Sequence, residues 1–218
     1  MNFLPGWHSG SPGIILPVAF VGSVIADAGV TALPGGMLEG DFVIYGSSSD
    51  TGTPVTATGY TQISASAAEA PSYEVAYKFM GASPDANLTI IDWSGSGPLP
   101  TVVYVFRNVS LSSPLDVAVV NTNGGPGLPN CGSITPVFPD AVVVAMGFLD
   151  DDPQGGAMGL AGYNNVISSD GGGGLNATAT SAAGWISVPT PTAVDPPAYT
   201  APSSEFWTAV TIALRPKS

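Results

Sequence analysis

The sequence predicts an all-β protein, a jelly-roll-like antiparallel β-sandwich with long Gly/Pro-rich loops. Short runs rich in Val, Ile, Tyr, Phe and Thr recur along the 218 residues. Gly, Pro, Ser and Asp separate these runs, and the chain contains 28 glycines and 21 prolines. Apolar residues do not recur at the three- and four-residue spacing of an amphipathic helix. Short strands at this spacing, without helices between them, favour a sandwich or a barrel.

Ten segments are predicted as strands. In chain order they are 15–23, 41–46, 60–64, 73–80, 88–93, 101–107, 115–120, 140–149, 184–189 and 206–215. In the fourth segment Tyr73 and Val75 share one face, whereas Glu74 and Lys78 share the other. That alternation predicts a half-buried strand whose polar face meets water or a partner. The last segment also alternates, so we expect it to pair with strands distant in sequence.

The loops and the domain organisation are predicted from the same Gly, Pro, Ser and Asp residues that separate the apolar runs. Residues 121–133 and 168–184 are rich in Gly, Asn and Ser and are predicted to be long loops. Residues 188–202 are rich in proline and should run extended across a surface. The strand pattern resumes after each loop. We therefore predict one sandwich domain, 15–218, preceded by an extended N-terminal arm, 1–14.

Charge is scarce and one-sided. Four Lys and Arg stand against 16 Asp and Glu, which gives a net charge of −12. Charged residues are 9% of the chain, compared with about 25% in typical soluble domains. Without a basic patch, binding to nucleic acid or to an anionic membrane surface is not expected. A surface so poor in charge suits a chain that stays packed against copies of itself or a larger assembly.

The apolar run GIILPVAFVGSVIADA, residues 13–28, superficially resembles the core of a secretory signal. A signal peptide requires a positively charged start, but the first basic residue is Lys78, and Pro17 interrupts the run. A signal peptide is therefore not expected. No segment reaches the roughly 18 uninterrupted apolar residues of a membrane-spanning helix.

The densest acidic cluster is Asp150, Asp151 and Asp152, in the stretch GFLDDDPQGG. A calcium loop alternates its oxygen ligands along the chain, and consecutive aspartates do not have that spacing. Aspartates followed by Pro153 are typical of a turn after a strand. The cluster is predicted to be a solvated loop tip, with structural calcium as a weak alternative.

Nothing in the sequence favours catalysis. Cys131 is the only cysteine, so no intrachain disulfide can form, and the only histidine that could activate it is His8 in the arm. We predict that Cys131 is a small buried residue. Asp92 and Glu205 have aromatic neighbours, but a glycosidase needs two acids facing each other across a groove. We expect a protein that is not an enzyme, with no catalytic residue, no metal and no cofactor.

The aromatic residues are the candidate binding residues. Trp7, Trp93, Trp185 and Tyr199 are predicted to be core or interface anchors. The alternative is a lectin-like groove in which tryptophan or tyrosine rings stack on sugars. Further rings that could serve such a groove are Trp207, Tyr60 and Tyr163.

The order of the strand motifs resembles a known module. PVAFVGS, GDFVIYGS, GYTQIS, SYEVAYKF, TVVYVFRNV, PDAVVVAMGFLDDD and FWTAVTIALRP follow one another between residues 18 and 216. This series is similar to a β-sandwich module of structural proteins in tailed bacteriophages and prophages. The longer N-terminal arm of this chain departs from that pattern.

The resemblance implies a virion component, such as a capsid decoration, cement, spike or tail-associated protein. It implies that the chain acts by protein–protein association in the virion, after assembly in the bacterial cytoplasm. The expected partners are other capsid or tail proteins and copies of the chain itself, with a trimer as the expected oligomer. The alternative is a carbohydrate-binding module that recognises a glycan on the host surface.

Overall fold

The computed structural model describes residues 14–26, 29–68, 70–93, 99–150, 157–170 and 179–218. Within these ranges the regular structure is entirely β, and no helix is long and apolar enough to cross a membrane. The strands are β1 (Ala19–Ala26), β2 (Gly29–Ala32), β3 (Phe42–Ser49), β4 (Thr61–Ser66), β5 (Ser72–Phe79), β6 (Asn87–Ile90), β7 (Thr101–Arg107), β8 (Val120–Gly127), β9 (Ala141–Leu149), β10 (Asn164–Ser169), β11 (Thr180–Val188) and β12 (Glu205–Leu214).

The strands form two five-stranded antiparallel sheets and a two-stranded ribbon. The first sheet has the order β1-β7-β3-β5-β4, the second has the order β10-β11-β9-β12-β8, and the ribbon pairs β2 with β6. The predicted antiparallel β-sandwich is confirmed. Its strand order adds a detail that the sequence did not show. The first half of the chain builds one sheet and the second half builds the other, with the change of sheet between β7 and β8.

The main core lies between the sheets. The first sheet contributes large side chains from its central strands, among them Phe42, Tyr104 and Phe106. The second sheet contributes Val144 and Phe148 from β9, together with aliphatic residues of β12. The ring of Tyr73 stacks on Phe148 with 5.3 Å between centroids, so aromatic contacts join the two layers.

The outer face of each sheet is also covered. The β2–β6 ribbon and its neighbouring loops pack Leu88, Ile90 and Trp93 against the first sheet. Loop residues that include Cys131, Met158 and Tyr199 pack against the second sheet. This double coverage explains why β7 and β9 are uninterrupted apolar runs, since both faces of these strands are buried.

Double coverage also corrects the prediction for β5. Tyr73 and Val75 face the main core as expected, but Glu74 and Ala76 on the opposite face are buried as well. At Glu74 and Ala76 the predicted polar face therefore meets the interior of the protein, whereas Lys78 further along the strand is partly exposed.

Two predicted loops are wrong in part. The predicted strand 115–120 contains an isolated bridge at Leu115 and, at Val120, only the first residue of β8. The rest of β8, residues 121–127, lies inside the predicted loop 121–133. Likewise, β11 begins at Thr180, inside the predicted loop 168–184. Both strands are held by backbone pairing to neighbouring strands, so Asn, Gly and Ser residues of low strand propensity are accepted there.

The C-terminal strand behaves as predicted. β12 pairs with β9 along eight positions and with β8 on its other side, both far earlier in the sequence. Past its end, Pro216 bridges to Val109 and Lys217 bridges to Leu16. The C-terminal residues therefore lie beside the first described residues of the chain.

Candidate functional sites

The predicted aromatic binding residues lie inside the fold. Trp93 and Tyr199 are each 1% exposed, and each belongs to the core on an outer face of a sheet. Trp185 is half-buried and stacks on Phe20 with 5.3 Å between ring centroids. Trp7 lies outside the described residues. Loops on the outer faces cover Trp93 and Tyr199, which leaves these two rings no open face for a sugar, while Trp185 packs against the main core between the sheets.

The acidic cluster is described only at its first residue. Asp150 follows β9, and its backbone N–H donates to the carbonyl oxygen of Phe206 at 3.0 Å. Asp151 and Asp152 lie outside the described residues. Among the residues that are described, no three His, Cys, Asp or Glu side chains form a group that could hold a metal ion.

The remaining candidates for catalysis are separated or buried. Asp92 follows β6 in the ribbon, whereas Glu205 opens β12 in the second sheet. Cys131 is buried as predicted, and its Sγ donates to the carbonyl oxygen of Met146 at 3.4 Å. Burial raises the pKa of the Cys131 thiol to about 12, which keeps it protonated and unreactive at neutral pH.

Exposed aliphatic side chains lie around the place where Leu16 pairs with Lys217. Leu16 donates its backbone N–H to the carbonyl oxygen of Lys217 at 2.9 Å. A cavity of about 140 Å³ lies beside this contact and is lined in part by Leu38, Leu111 and Lys217. Leu16, Leu38 and Leu111 are 41%, 55% and 59% exposed, and Ile14 nearby in the chain is 81% exposed. We call these four residues the terminal patch.

A rigid ion pair supports the terminal patch. Arg107 donates to both carboxylate oxygens of buried Asp41, with Nε–Oδ1 and Nη2–Oδ2 distances of 2.8 Å. The same carboxylate accepts the backbone N–H of Leu38 at 2.8 Å. These hydrogen bonds raise the pKa of Arg107 above its ordinary value, so the guanidinium stays charged. The loop that carries Leu38 is therefore fixed to the end of β7.

A second candidate lies where the edges of the two sheets meet, between β4 and β8. Ser64 donates its hydroxyl to the side-chain oxygen of Asn121 at 3.0 Å, and Ser64 also hydrogen-bonds the Tyr73 hydroxyl at 2.9 Å. A cavity of about 120 Å³ opens here. It is lined by Ser66, Tyr73, Asn121, Thr122, Asn123 and Thr208.

An adjoining cavity extends this site towards the start of β12. Its volume is about 240 Å³, and it shares Asn123 with the first cavity. The other lining residues are Ala70, Gly124, Gly125, Phe206 and Trp207. Phe206 is 48% exposed, which is unusual for so large an aromatic side chain. We call the two cavities together the seam groove.

Thr208 is the least satisfied residue of the seam groove. It is buried, and its Oγ1 has no hydrogen-bond partner among the described residues. Buried hydroxyls are nearly always paired, because an unpaired one costs about 1–3 kcal/mol. Sequence analysis missed this groove because it placed 121–133 in a loop. The polar run Asn121, Thr122 and Asn123 on a strand was the signal that could have indicated it.

Comparisons of the chain with protein-family models, curated proteins and solved structures found no match.

Proposed function

We propose that this chain is a structural component of a bacteriophage virion, as a capsid decoration, cement, spike or tail-associated protein. It acts by protein–protein association as a homo-oligomer, with a trimer as the proposed form. The phage assignment derives from the order of the strand motifs in the sequence. The association is supported above all by the terminal patch.

The terminal patch has the character of a contact surface. Single exposed aliphatic residues are common on protein surfaces, but neighbouring ones around a cavity are typical of association sites. Leu38 and Leu111 line the same cavity, while Leu16 is hydrogen-bonded to Lys217, which lines it too. Ile14 is the last residue of the predicted arm, residues 1–14. The patch therefore lies where the arm joins the sandwich, and both can take part in contacts between subunits.

The basic residues are few, and most of them already have partners within the chain. Three of the four basic residues have partners within the chain. Lys78 pairs with Asp85, Arg107 pairs with Asp41, and the Arg215 guanidinium lies 3.8 Å from the centroid of the Phe138 ring. The fourth, Lys217, lines the cavity of the terminal patch together with Glu39, so a partner that docks there must accommodate these two charges.

The association is tested with the double variant Leu38→Asp, Leu111→Asp. We expect the full-length wild-type chain to have about three times the 21.8 kDa mass of one chain in light scattering. The double variant should be monomeric, because two carboxylates would have to be buried in the contact. Ile25→Asp is the matched control, since Ile25 is also an exposed aliphatic residue, 50% exposed, but lies away from the patch. It is six residues, or about 20 Å, along β1 from Ala19, which pairs with Arg107 beside the patch.

Separate outcomes test the subunit contact and the virion assignment. A double variant that keeps the oligomeric mass, or a monomeric wild type, would show that the terminal patch is not the subunit contact. The virion assignment is tested separately by mass spectrometry of purified particles from the phage that encodes the chain. Absence of the wild-type chain from those particles would overturn the virion assignment, whatever its oligomeric state.

A further inference from the structure

We propose that the seam groove binds a neutral saccharide. This function is additional to association through the terminal patch, and it uses different residues. Of the rings that the sequence offered for a lectin-like groove, Trp207 lines the seam groove, whereas Trp93 and Tyr199 are buried in the core.

The inner part of the groove is built for hydroxyl groups. Asn121, Asn123 and Ser66 bring amide and hydroxyl side chains to the lining, and these groups both donate and accept hydrogen bonds. Thr208 adds a buried Oγ1 that has no partner among the described residues. That oxygen has less than 1 Å² of exposed surface, so a sugar hydroxyl that completes its hydrogen bonding must displace the side chains beside it.

The outer part of the groove provides an apolar surface. Phe206 is exposed at its rim, while the Trp207 indole lies against Gly124 and the Phe206 ring lies beside Gly125 on the paired strand. The C–H face of a pyranose ring packs on an aromatic face in the same way as other apolar groups do. Hydroxyl-binding groups beside an exposed ring match a ligand that has polar edges and an apolar face.

Charge and size narrow the class of ligand. None of the described residues that line the two cavities is charged, so an anionic or cationic ligand would find no counter-charge there. Together the cavities reach the lower end of the roughly 300–1,000 Å³ that is typical of small-ligand pockets. That volume suits a monosaccharide or the terminal residue of a glycan.

A peptide is a poorer fit. β8 is the edge strand of the second sheet, where an extended peptide could in principle add as a further strand. However, Pro126 has no N–H to donate, and Gly124, Gly125 and Gly127 provide no side chains to fix a register. Proline at an edge is a common device against strand addition.

The experiment is an NMR titration of the ¹⁵N-labelled full-length chain with the methyl glycosides of glucose, galactose, mannose and N-acetylglucosamine. At least one probe should shift the amide signals of residues 121–125 and 206–208, and leave the terminal patch unchanged. Thr208→Val should weaken this binding by about three- to tenfold, the equivalent of one hydrogen bond. Phe206→Ala should weaken it to a similar extent.

The valine variant separates binding from folding. It keeps the shape of Thr208 and removes an unpaired buried hydroxyl, so the melting temperature should stay the same or rise. Thr89→Val, at an exposed position of β6, is the matched control and should bind like the wild type. Three results would overturn the proposal. The first is that no glycoside shifts any amide signal of the groove at about 20 mM. The second is that Thr208→Val binds the glycosides as tightly as the wild type does. The third is that an extended peptide, but none of the glycosides, shifts the amide signals of β8.

Discussion

The outer faces of the two sheets are covered by different kinds of side chains. On the first sheet the cover includes a polar network around a buried carboxylate. On the second sheet the cover is a tyrosine ring packed against alanines and glycines. The comparison is instructive because both faces are buried, although their chemistry is different.

Glu74 is the centre of the network on the first sheet. The Tyr45 hydroxyl donates to one of its carboxylate oxygens at 2.9 Å, and the Thr56 hydroxyl and the Gln62 amide donate to the other. The backbone N–H of Ala57 donates to the Tyr45 oxygen at 3.0 Å. In the described part of the chain no basic side chain forms an ion pair with Glu74. Burial, and then the charge of Glu74, raise the pKa of Tyr45 well above its ordinary value.

Tyr199 is the centre of the cover on the second sheet. Its hydroxyl donates to the carbonyl oxygen of Ala145 at 2.8 Å, and its ring lies against Gly147. A Cβ atom at Gly147 would come within 2.8 Å of that ring, so only glycine allows this approach. Ala182 and Ala209 complete the shallow surface on which the ring packs. Here shape complementarity replaces the hydrogen-bond network of the other sheet.

The difference shows that a polar residue on a strand does not by itself identify a solvent face. Each of the three side-chain donors to Glu74 compensates part of the cost of burying its charge. The second sheet avoids that cost by placing small residues under one large ring. The following variants test how much each cover contributes.

The largest effect is expected for Tyr199→Ala. Removal of a fully buried ring from a close-packed surface should lower the free energy of unfolding by about 3–5 kcal/mol. Chemical denaturation of the purified chain measures this value. Tyr199→Phe is the control, because it removes only the hydroxyl and should cost about 1 kcal/mol. Equal losses in the two variants would show that the hydrogen bond to Ala145, and not the packing of the ring, holds the cover.

A smaller loss is expected for Glu74→Ala on the first sheet. Its three side-chain donors would lose their acceptor within a buried region, which should cost about 2–4 kcal/mol. Glu74→Gln keeps the size and one acceptor oxygen, so it should cost about half as much. The same denaturation experiment compares the two variants. If Glu74→Ala were as stable as the wild type, the network would not contribute to the cover of the first sheet.

The smallest effect concerns Cys131, which lies under the cover of the second sheet. Its pKa in the folded chain is raised to about 12 by burial, whereas an unfolded thiol titrates near 9. Between these values the unfolded state binds fewer protons than the folded state, so stability falls as pH rises. From about pH 8 to about pH 10 the wild type should lose about 1 kcal/mol more than Cys131→Ala. Parallel pH dependences would show that the thiol is accessible to water in the folded chain.

The sequence predicted much of the fold but little of the candidate sites. The bounds of β7, β9 and β12 were predicted to within one residue, because long apolar runs between turn residues leave few alternatives. β8 and β10 were missed, since their Asn, Gly and Ser residues have low strand propensity and are held by neighbouring strands. The seam groove was missed because the β8 residues that line it were predicted to lie in a loop. The terminal patch was missed because Leu38 and Leu111 are far apart in sequence.

By itself the sequence determined the all-β class, the antiparallel sandwich and the buried state of Cys131. These properties follow from local residue patterns and from composition. Only the tertiary structure decided which sheet each strand joins, that Glu74 is buried, and that Phe206 stays exposed beside Thr208. These properties depend on contacts between segments far apart in sequence, as when Asn121 of β8 meets Ser64 of β4. Side-chain periodicity shows that a strand has two faces, but what covers each face is set by the rest of the chain.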